Sequence, residues 1–223
     1  MAEAPSLTGR TVVVTAGGTR EPIDAVRYLG NRSSGRMGNA IALAAAERGA
    51  DVVLVTTMAA ASHPRIRTVA VETAAQMHDA VRAALGGAAA LVMAAAVADY
   101  RPAQVAARKL KKQESLTLEL IPTVDILRSL ADDPARRGVL MVGFAAETDD
   151  LHANAMSKLV DKRLDLIVLN DVAQPAIGMN SEDNEVTVFD AGGVVTHISR
   201  RAKAAVATAL VDVVVARLAP GQR

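Results

Sequence analysis

The chain has no cysteine and no tryptophan, and aromatic residues make up only 2% of it. Without cysteine there is no disulfide framework, no thiolate metal site and no cysteine nucleophile. With so few aromatic rings, core volume must come chiefly from valine, leucine, isoleucine and alanine. Hydrophobic residues nevertheless make up 51% of the chain, which argues against a disordered protein.

The chain also lacks a dominant charge. It has 25 basic and 24 acidic residues, for a net charge of +1, so no global field attracts nucleic acid. The four histidines lie far apart in sequence and show no spacing typical of metal ligands: His63, His78, His152 and His197. We therefore expect no structural zinc.

No long apolar run is present. Polar residues interrupt the alanine-rich stretches before the roughly 18 apolar positions of a membrane-spanning helix accumulate. Residues 1–7 lack the apolar centre of a signal peptide. We expect a cytoplasmic protein.

The pattern that is present is an alternation of strands and helices within 223 residues, enough for one α/β domain. Nearly continuous apolar runs predict buried strands at 11–15, 51–56, 90–95, 139–144 and 164–169. Periodic segments predict helices at 39–48, 73–85, 124–130, 149–162 and 203–218, and alternating segments predict strands at 66–71 and 116–120 and a hairpin at 186–198. The sequence thus predicts a Rossmann-like, mostly parallel sheet with helices on both faces and a small antiparallel extension.

The stretch 11–38 joins a strand to a helix through a glycine-rich polar loop. Gly17 and Gly18 follow the strand, and Ser33, Ser34 and Gly35 precede the helix. Unpaired N–H groups at a helix N-terminus favour anions, so these five residues form a candidate phosphate-binding loop. A tight turn followed by a helix cap explains the same pattern equally well.

Familiar nucleotide motifs are missing from this stretch. It has no Walker loop, and only Gly35 and Gly38 remain of a dinucleotide fingerprint. Where an NAD site places an acid after the second strand, the chain has Thr56 and Thr57. A dinucleotide-dependent reductase is therefore disfavoured, although it stays an alternative.

Residues 97–115 carry no apolar periodicity and are predicted to form an exposed, mobile loop. Lys109, Lys111 and Lys112 within it are either a solvated charge run or a cationic flap that closes over a polyphosphate. Asp99, directly after a buried strand, either caps a turn or holds a ligand group or a hydrated magnesium ion.

Lys158 and Lys162 share one face of the predicted helix at 149–162. Compensation of the helix dipole explains them without a ligand. Each unusual segment of the chain nevertheless follows a predicted strand, where open α/β sheets bind ligands. This coincidence is stronger evidence for a ligand site than any single motif.

Six segments, in this order and spacing, closely resemble the bacterial CTP-dependent phosphopantothenoylcysteine synthetases: TAGGTREPIDAVRYLGNRSSGRMG, AAVADYRP, KLKKQ, VDIL, GFAAET and NDV. The resemblance extends over about residues 7–218. It implies a ligase of coenzyme A biosynthesis that joins 4′-phosphopantothenate to L-cysteine. CTP and Mg²⁺ are implied, with an acyl-cytidylate intermediate and release of pyrophosphate and then CMP.

The resemblance also implies roles for individual residues. Asn31 would handle the acyl-cytidylate, and Lys109 would be the lysine of the flap. The implied CTP contacts are Met93, Ala94, Ala95, Asp99, Lys109, Val124, Asp125, Ile126, Leu127, Phe144, Lys158 and Lys162.

The resemblance implies a homodimer whose sites lie near the subunit interface, with 170–184 and the hairpin at 186–198 as plausible contacts. It also implies a flavin-dependent decarboxylase domain on the native chain. We therefore interpret 1–6 as a linker remnant, 7–219 as one nucleotide-binding synthetase domain and 220–223 as a tail. A nucleotide-binding module without catalysis is a further alternative.

Overall fold

Strands and helices alternate through the computed structural model, which describes residues 6–112, 114–147, 151–171 and 181–219. The strands are β1 Thr11–Ala16, β2 Arg20–Pro22, β3 Tyr28–Gly30, β4 Asp51–Thr56, β5 Ile66–Ala70, β6 Ala90–Met93, β7 Tyr100–Pro102, β8 Leu120–Pro122, β9 Leu140–Glu147, β10 Leu166–Asp171, β11 Asp183–Asp190 and β12 Gly193–Ala202. The helices are α1 Arg36–Glu47, α2 Ala74–Leu85, α3 Ile126–Ser129, α4 Leu151–Asp161 and α5 Lys203–Leu218, with a short 3-10 helix at Pro134–Arg136.

Within the described residues, the main sheet has eight strands in the order β12-β11-β10-β9-β6-β1-β4-β5. The strands from β10 to β5 in this order are parallel, whereas β11 and β12 pair antiparallel at one edge. Strand β1 lies in the interior of the sheet. Strands β4 and β5 follow on one side of it, and β6, β9 and β10 follow on the other. This is the doubly wound order, and it reverses direction between β1 and β6. The predicted fold class, with its antiparallel extension, is confirmed.

Helices cover both faces of this sheet because the parallel strands are apolar on both faces. Val12 and Val14 of β1 belong to a core built with α1 and α5, whereas Val13 belongs to the opposite core, built with α2, α3 and α4. Such two-sided burial is typical of parallel sheets. Among the described residues, no helix combines the length and the apolar character needed to cross a bilayer.

The element boundaries differ from the predictions in places. Helix α1 begins three residues earlier than expected, at Arg36. The predicted strand at 116–120 is wrong except for its last residue, because β8 begins at Leu120 and pairs with β7. The β2–β3 pair was not predicted, since its strands have only three residues each and lack an apolar pattern. For the same reason the predicted loop at 97–115 is wrong at β7, which pairs with β8. The interpretations of 1–5 and 220–223 lie outside the described residues.

Two antiparallel ribbons, β2–β3 and β7–β8, project from the carboxyl edge of the main sheet. Between β7 and β8, the described residues form neither helix nor strand. This long connection, which carries Lys109, is nevertheless tied to the turn of the β2–β3 ribbon. The Ala106 N–H donates to the Ile23 carbonyl at 3.1 Å.

Asp24 provides a second link between the β2–β3 turn and the β7–β8 connection. Its carboxylate accepts hydrogen bonds from the N–H groups of Val26 and Arg27 within its own turn, and from the Leu110 N–H at 3.1 Å. The Arg27 guanidinium pairs with Asp24 at 3.1 Å and donates to the Leu110 carbonyl at 3.2 Å. The backbone N–H and the carbonyl of Leu110, the residue after Lys109, are thus both held by one ion pair.

The Asp24 carboxyl is buried, and burial alone would raise its pKa. The hydrogen bonds from Val26, Leu110 and Arg27, together with the Arg27 charge, outweigh that effect and lower the pKa below its usual value of 3.8. The carboxylate therefore stays charged at neutral pH and holds its donors firmly.

Replacing Gly38 by alanine should destabilise the fold, because the added Cβ would lie 2.5 Å from the Thr15 carbonyl oxygen and 2.6 Å from the Ala16 Cβ. We expect a loss of about 1–3 kcal/mol, larger than the gain in helix propensity. Urea denaturation measures it. Gly86→Ala is the matched control, since nothing lies within 4 Å of its Cβ, and its effect should stay within about 0.5 kcal/mol. Equal stability of the two variants would contradict the close packing.

Asp24→Asn should release the Lys109 segment. A lowered carboxyl pKa means that the stabilisation is present above the unfolded pKa and is lost as pH falls through the folded pKa. The wild type should therefore lose hydrogen-exchange protection at the Leu110 amide below about pH 3.8. The variant should show that loss, about tenfold in protection, already at pH 7. The control variant Asp79→Asn, at an exposed carboxylate, should keep the protection of the Leu110 amide at pH 7. Unchanged protection of the Leu110 amide in Asp24→Asn would contradict the hydrogen bond between Asp24 and Leu110.

Candidate functional site

A cavity of about 470 Å³ opens at the carboxyl edge of the main sheet. Its wall includes the end of β6, the loop that precedes α1, and residues of α3 and α4. It therefore lies where the strand order reverses between β1 and β6, the usual position of a ligand site in open α/β sheets. A volume of this size suits a small organic ligand.

Most of the predicted site residues line this cavity: Asn31, Ser33, Ser34, Gly35, Met93, Ala94, Ala95, Asp99, Val124, Asp125, Ile126, Leu127, Phe144, Lys158 and Lys162. Gly17, Gly18 and Lys109 do not line it. The topology thus brings together segments that are separated by more than a hundred residues in the sequence. Their roles in binding stay predictions.

The N-terminus of α1 forms one wall. Gly35 is its N-cap, with no side-chain cap, and the first turn carries no acidic residue. Arg36, Met37 and Gly38 of that turn line the cavity. Since the first N–H groups of a helix have no partner within the helix, this wall offers donors to an anion.

Gly17 and Gly18 support this wall from behind. Gly17 has φ +89°, and a Cβ there would lie 2.2 Å from the Thr57 Oγ1. Its carbonyl accepts from the Ala96 N–H, and the Gly18 carbonyl accepts from the Thr57 hydroxyl. The two glycines therefore link β1 to the neighbouring strand ends instead of facing the cavity. Their predicted role in binding phosphate stays a prediction.

The Asn31 side chain is attached to the end of β6. Its Nδ2 donates to the Val97 carbonyl at 3.1 Å and to the Ala96 carbonyl at 3.4 Å. These bonds orient the amide beside residues 93–97, which line the cavity. The Ala95 N–H, in turn, donates to Thr15 Oγ1 at 3.0 Å. The strand end and the asparagine are therefore positioned together.

Helices α3 and α4 supply the opposite wall. Asp125 is the N-cap of α3, where its Oδ1 accepts from the Arg128 N–H. Its Oδ2 lies 3.0 Å from the Lys162 Nζ, in a partly exposed ion pair. Lys158 lines the cavity one turn earlier on α4. Lys162 follows directly after α4, which ends at Asp161, so both of the lysines that were predicted to share a helix face line the cavity.

Lys109 is exposed on the connection between β7 and β8 and lies outside the cavity wall. The backbone N–H and carbonyl of Leu110, the next residue, are held by Asp24 and Arg27. The predicted mobile loop is thus anchored at this point.

Several lining residues were not among the predicted site residues: Arg36, Met37, Gly38, Ala96, Val97, Thr123, Ala145, Asn170, Asn184 and Lys203. The first turn of α1 was within reach of sequence reasoning, because it follows the predicted anion loop. Asn170 also follows a predicted strand. Asn184 and Lys203 carry no such signal, since they flank the antiparallel hairpin and reach the cavity only through sheet pairing.

The described lining has four cationic side chains and two acidic ones, a difference of +2: Arg36, Lys158, Lys162 and Lys203 against Asp99 and Asp125. Burial, together with the neighbouring Arg36 charge, lowers the pKa of the Lys203 ammonium. An excess of cations suits a polyanionic ligand.

A dedicated metal site is not formed by the described part of the chain, where no three His, Cys, Asp or Glu side chains cluster. The lining offers Asp99, which is exposed, and Asp125, which is paired with Lys162. One or two carboxylates fit a Mg²⁺ ion that arrives with the phosphates of a nucleotide, because such an ion keeps several waters.

Comparison with known proteins places these features in a family. Residues 7–218 match the model of the DNA/pantothenate metabolism flavoprotein C-terminal domain. The chain is 45% identical over 187 residues to the coenzyme A biosynthesis bifunctional protein CoaBC of Vibrio cholerae, an alignment that covers 82% of this chain and 47% of that protein. The chain therefore spans about half the length of the curated relatives that it matches.

Two solved structures resemble this one. The C-terminal domain of a coenzyme A biosynthesis bifunctional protein CoaBC is 36% identical, with a TM-score of 0.81, and the match covers 96% of this chain and 98% of that one. A Cab2 mutant in complex with phosphopantothenate-cysteine is 17% identical, with a TM-score of 0.76 and coverage of 94% and 86%, and it shares the fold.

The family match spans nearly the whole chain, and the solved domain is covered almost completely. The chain belongs to the family of DNA/pantothenate metabolism flavoprotein C-terminal domains.

Proposed function

We propose that this chain ligates 4′-phosphopantothenate to L-cysteine at the expense of CTP, giving phosphopantothenoylcysteine, CMP and pyrophosphate. The observation that carries the proposal is the cationic cavity at the reversal point of the sheet, lined by residues from five of the six segments that resemble the synthetases. The names of the coenzyme A biosynthesis relatives support the same activity.

The chemistry needs two displacements. A carboxylate oxygen of the substrate attacks the α-phosphorus of CTP, the bond to the β-phosphate breaks and pyrophosphate leaves. The cysteine amine then attacks the acyl carbon, loses a proton and displaces CMP. Neither step requires a nucleophilic side chain of the protein, so the enzyme must chiefly bind, orient and stabilise charge.

The nucleotide is proposed to lie between the end of β6 and helices α3 and α4. Lys158 and Lys162 face this part of the cavity and can neutralise phosphate charge. Residues 93–95 offer backbone groups to the cytosine edge. Because the Ala95 N–H already donates to Thr15, recognition relies on the other backbone groups of this segment.

Asn31 and Lys109 are proposed to act on the reacting groups. The Asn31 amide is oriented at the mouth of the cavity by two backbone carbonyls, which lowers the entropy cost of contacting the acyl-cytidylate. Lys109 must swing toward the cavity to stabilise the charge on the phosphates. The Asp24–Arg27 pair at its neighbour Leu110 provides the fixed point for such a movement.

Mg²⁺ would be held by the nucleotide phosphates together with Asp99 or Asp125. When bound, it supplies Lewis-acid stabilisation of phosphate charge. Asp125 also caps α3 and pairs with Lys162, and these contacts fix its side chain beside the proposed position of the phosphates. The lysines and the N-terminus of α1 stabilise the remaining negative charge.

Two further proposals concern the setting. Since the relatives are bifunctional and about twice as long, we propose that a flavin-dependent decarboxylase domain shares the native chain. We also place the reaction in the cytoplasm, where a coenzyme A precursor and CTP are both at hand.

We further propose a homodimer formed through the two ribbons. Six of the eight large apolar side chains that are exposed in the described residues lie on the ribbons or their connections: Val26, Tyr28, Tyr100, Val105, Leu116 and Leu120. An apolar patch rimmed by polar residues is typical of an interaction surface. The predicted contact hairpin at 186–198 exposes Val194 alone in this set, and most of the predicted contact at 170–184 lies outside the described residues.

The activity is tested by pyrophosphate release from CTP with 4′-phosphopantothenate, L-cysteine and Mg²⁺. Wild-type protein should release pyrophosphate, and Lys109→Met should lower kcat by about 10²–10³-fold, the usual cost of removing one group that stabilises transition-state charge. The comparison variant is Lys111→Met in the same connection. It should have a much smaller effect, because the resemblance assigns the role to Lys109.

Release with ATP and none with CTP would overturn the nucleotide assignment. No release with any nucleotide would overturn the ligase itself. Equal losses in the two lysine variants would replace a specific role of Lys109 by a general effect of positive charge.

The homodimer is tested by sedimentation, in which the wild type should run at about twice the 23.2 kDa of one chain. Tyr28→Asp should shift it to the monomer, because a buried, unpaired carboxylate would be costly in an apolar interface. Val194→Asp, at a side chain that is 61% exposed on the opposite edge, should leave the dimer intact. A monomeric wild type would refute the dimer, and the reverse pattern of the variants would move the interface to the hairpin.

A further inference from the structure

Thr15, near the carboxyl end of β1, is a polar side chain that follows three valines, at 12–14. It is completely buried, and its Oγ1 accepts a hydrogen bond from the Ala95 N–H at 3.0 Å. Valine has nearly the same shape and would avoid the cost of burying a hydroxyl group. The hydroxyl at this position therefore serves the contact with Ala95.

Ala95 lies where the chain leaves the main sheet. Strand β6 ends at Met93, which is paired with Thr15. The next parallel bridge joins Ala96 to Gly18. Ala95 is therefore in a gap between two paired positions, and it lines the cavity. A backbone N–H in such a gap has no strand partner, so it would be open to a ligand if Thr15 did not accept its hydrogen bond.

Two neighbouring N–H groups are also held within the protein. The Ala96 N–H donates to the Gly17 carbonyl at 2.8 Å, and the Ala98 N–H donates to Thr19 Oγ1 at 2.9 Å. The Ala95 carbonyl, by contrast, accepts no hydrogen bond from the described part of the chain. At Ala95 the cavity wall therefore offers a hydrogen-bond acceptor and no donor.

The two pyrimidine bases of ribonucleotides bring different groups to such a wall. Cytosine has an amino group at C4, which donates, whereas uracil has a carbonyl oxygen there, which accepts. A backbone carbonyl pairs with the amino group, but opposite the uracil oxygen it leaves two acceptors facing each other. An N–H group at the same place reverses this preference. Unpaired polar groups of this kind are an effective way for a site to reject the wrong ligand.

We propose that Thr15 sets the preference of the cavity for cytosine over uracil, because its hydroxyl occupies the Ala95 N–H and leaves the Ala95 carbonyl to the base. The proposal rests on the proposed function, which places the cytosine edge at residues 93–95. Thr15 does not line the cavity, so it acts through Ala95 as a positioning residue. The choice of nucleotide thus depends on a side chain buried behind the cavity wall.

Calorimetric titration of the full chain with CTP and with UTP measures this preference without turnover. The wild type should bind CTP more tightly than UTP. Thr15→Val should lower the ratio of the two affinities about tenfold, because the released Ala95 N–H opposes the amino group of cytosine and can donate to the uracil oxygen. Thr15→Ser keeps the hydroxyl and should keep the wild-type ratio. If Thr15→Val does not fold, Thr15→Ala removes the same hydroxyl and should lower the ratio in the same way.

Thr56→Val is the matched control. Thr56 is also buried, at the end of β4, but its hydroxyl exchanges hydrogen bonds with the backbone of Met58 and it does not line the cavity. This variant should keep the wild-type ratio of affinities.

The role of Thr15 would be overturned by an unchanged ratio in Thr15→Val, by an equal change in Thr15→Ser or Thr56→Val, or by a wild type that does not prefer CTP. Pyrophosphate release from CTP together with an unchanged ratio would overturn this role and leave the ligase standing. A ratio that depends on Thr15, in a protein that releases no pyrophosphate, would contradict the ligase alone.

Discussion

The close approach of helix α1 to the end of strand β1 is the constraint on which the rest of the site depends. Gly38 lies against the backbone of Thr15 and Ala16 with no room for a Cβ. The helix can therefore direct its uncapped N-terminus into the crevice between β1 and β6. A larger residue would push this N-terminus away from the strand ends and would weaken the anion site that it forms.

The same crevice concentrates charge. The sheet brings cations from α1, α4 and α5 to one cavity, although these helices lie on opposite faces. The Asp125 carboxylate partly neutralises the charge of Lys162. The positive charges of Lys203 and Arg36, by contrast, repel each other. A protein that retains such an arrangement bears a folding cost that is recovered when an anion binds.

The ribbons extend the site beyond the sheet. Asp24 and Arg27 hold the backbone N–H and carbonyl of Leu110, next to Lys109, so a segment without regular structure still has a defined anchor. The ribbons also carry most of the exposed apolar side chains. A contact between subunits at this surface would connect the order of the Lys109 segment to assembly.

The sequence by itself determined the strand–helix alternation, the limits of β4 and α5, and the segments that meet at the cavity. Those features depend on local periodicity and on motifs, which a chain carries along its length. It did not reveal the ribbons, the Asp24–Arg27 pair or the role of Gly17 and Gly18 behind the wall. Only the tertiary structure brought Lys203, Asn184 and Asn170 to the cavity that Arg36 also lines, because sheet pairing joins segments whose sequences carry no sign of their proximity.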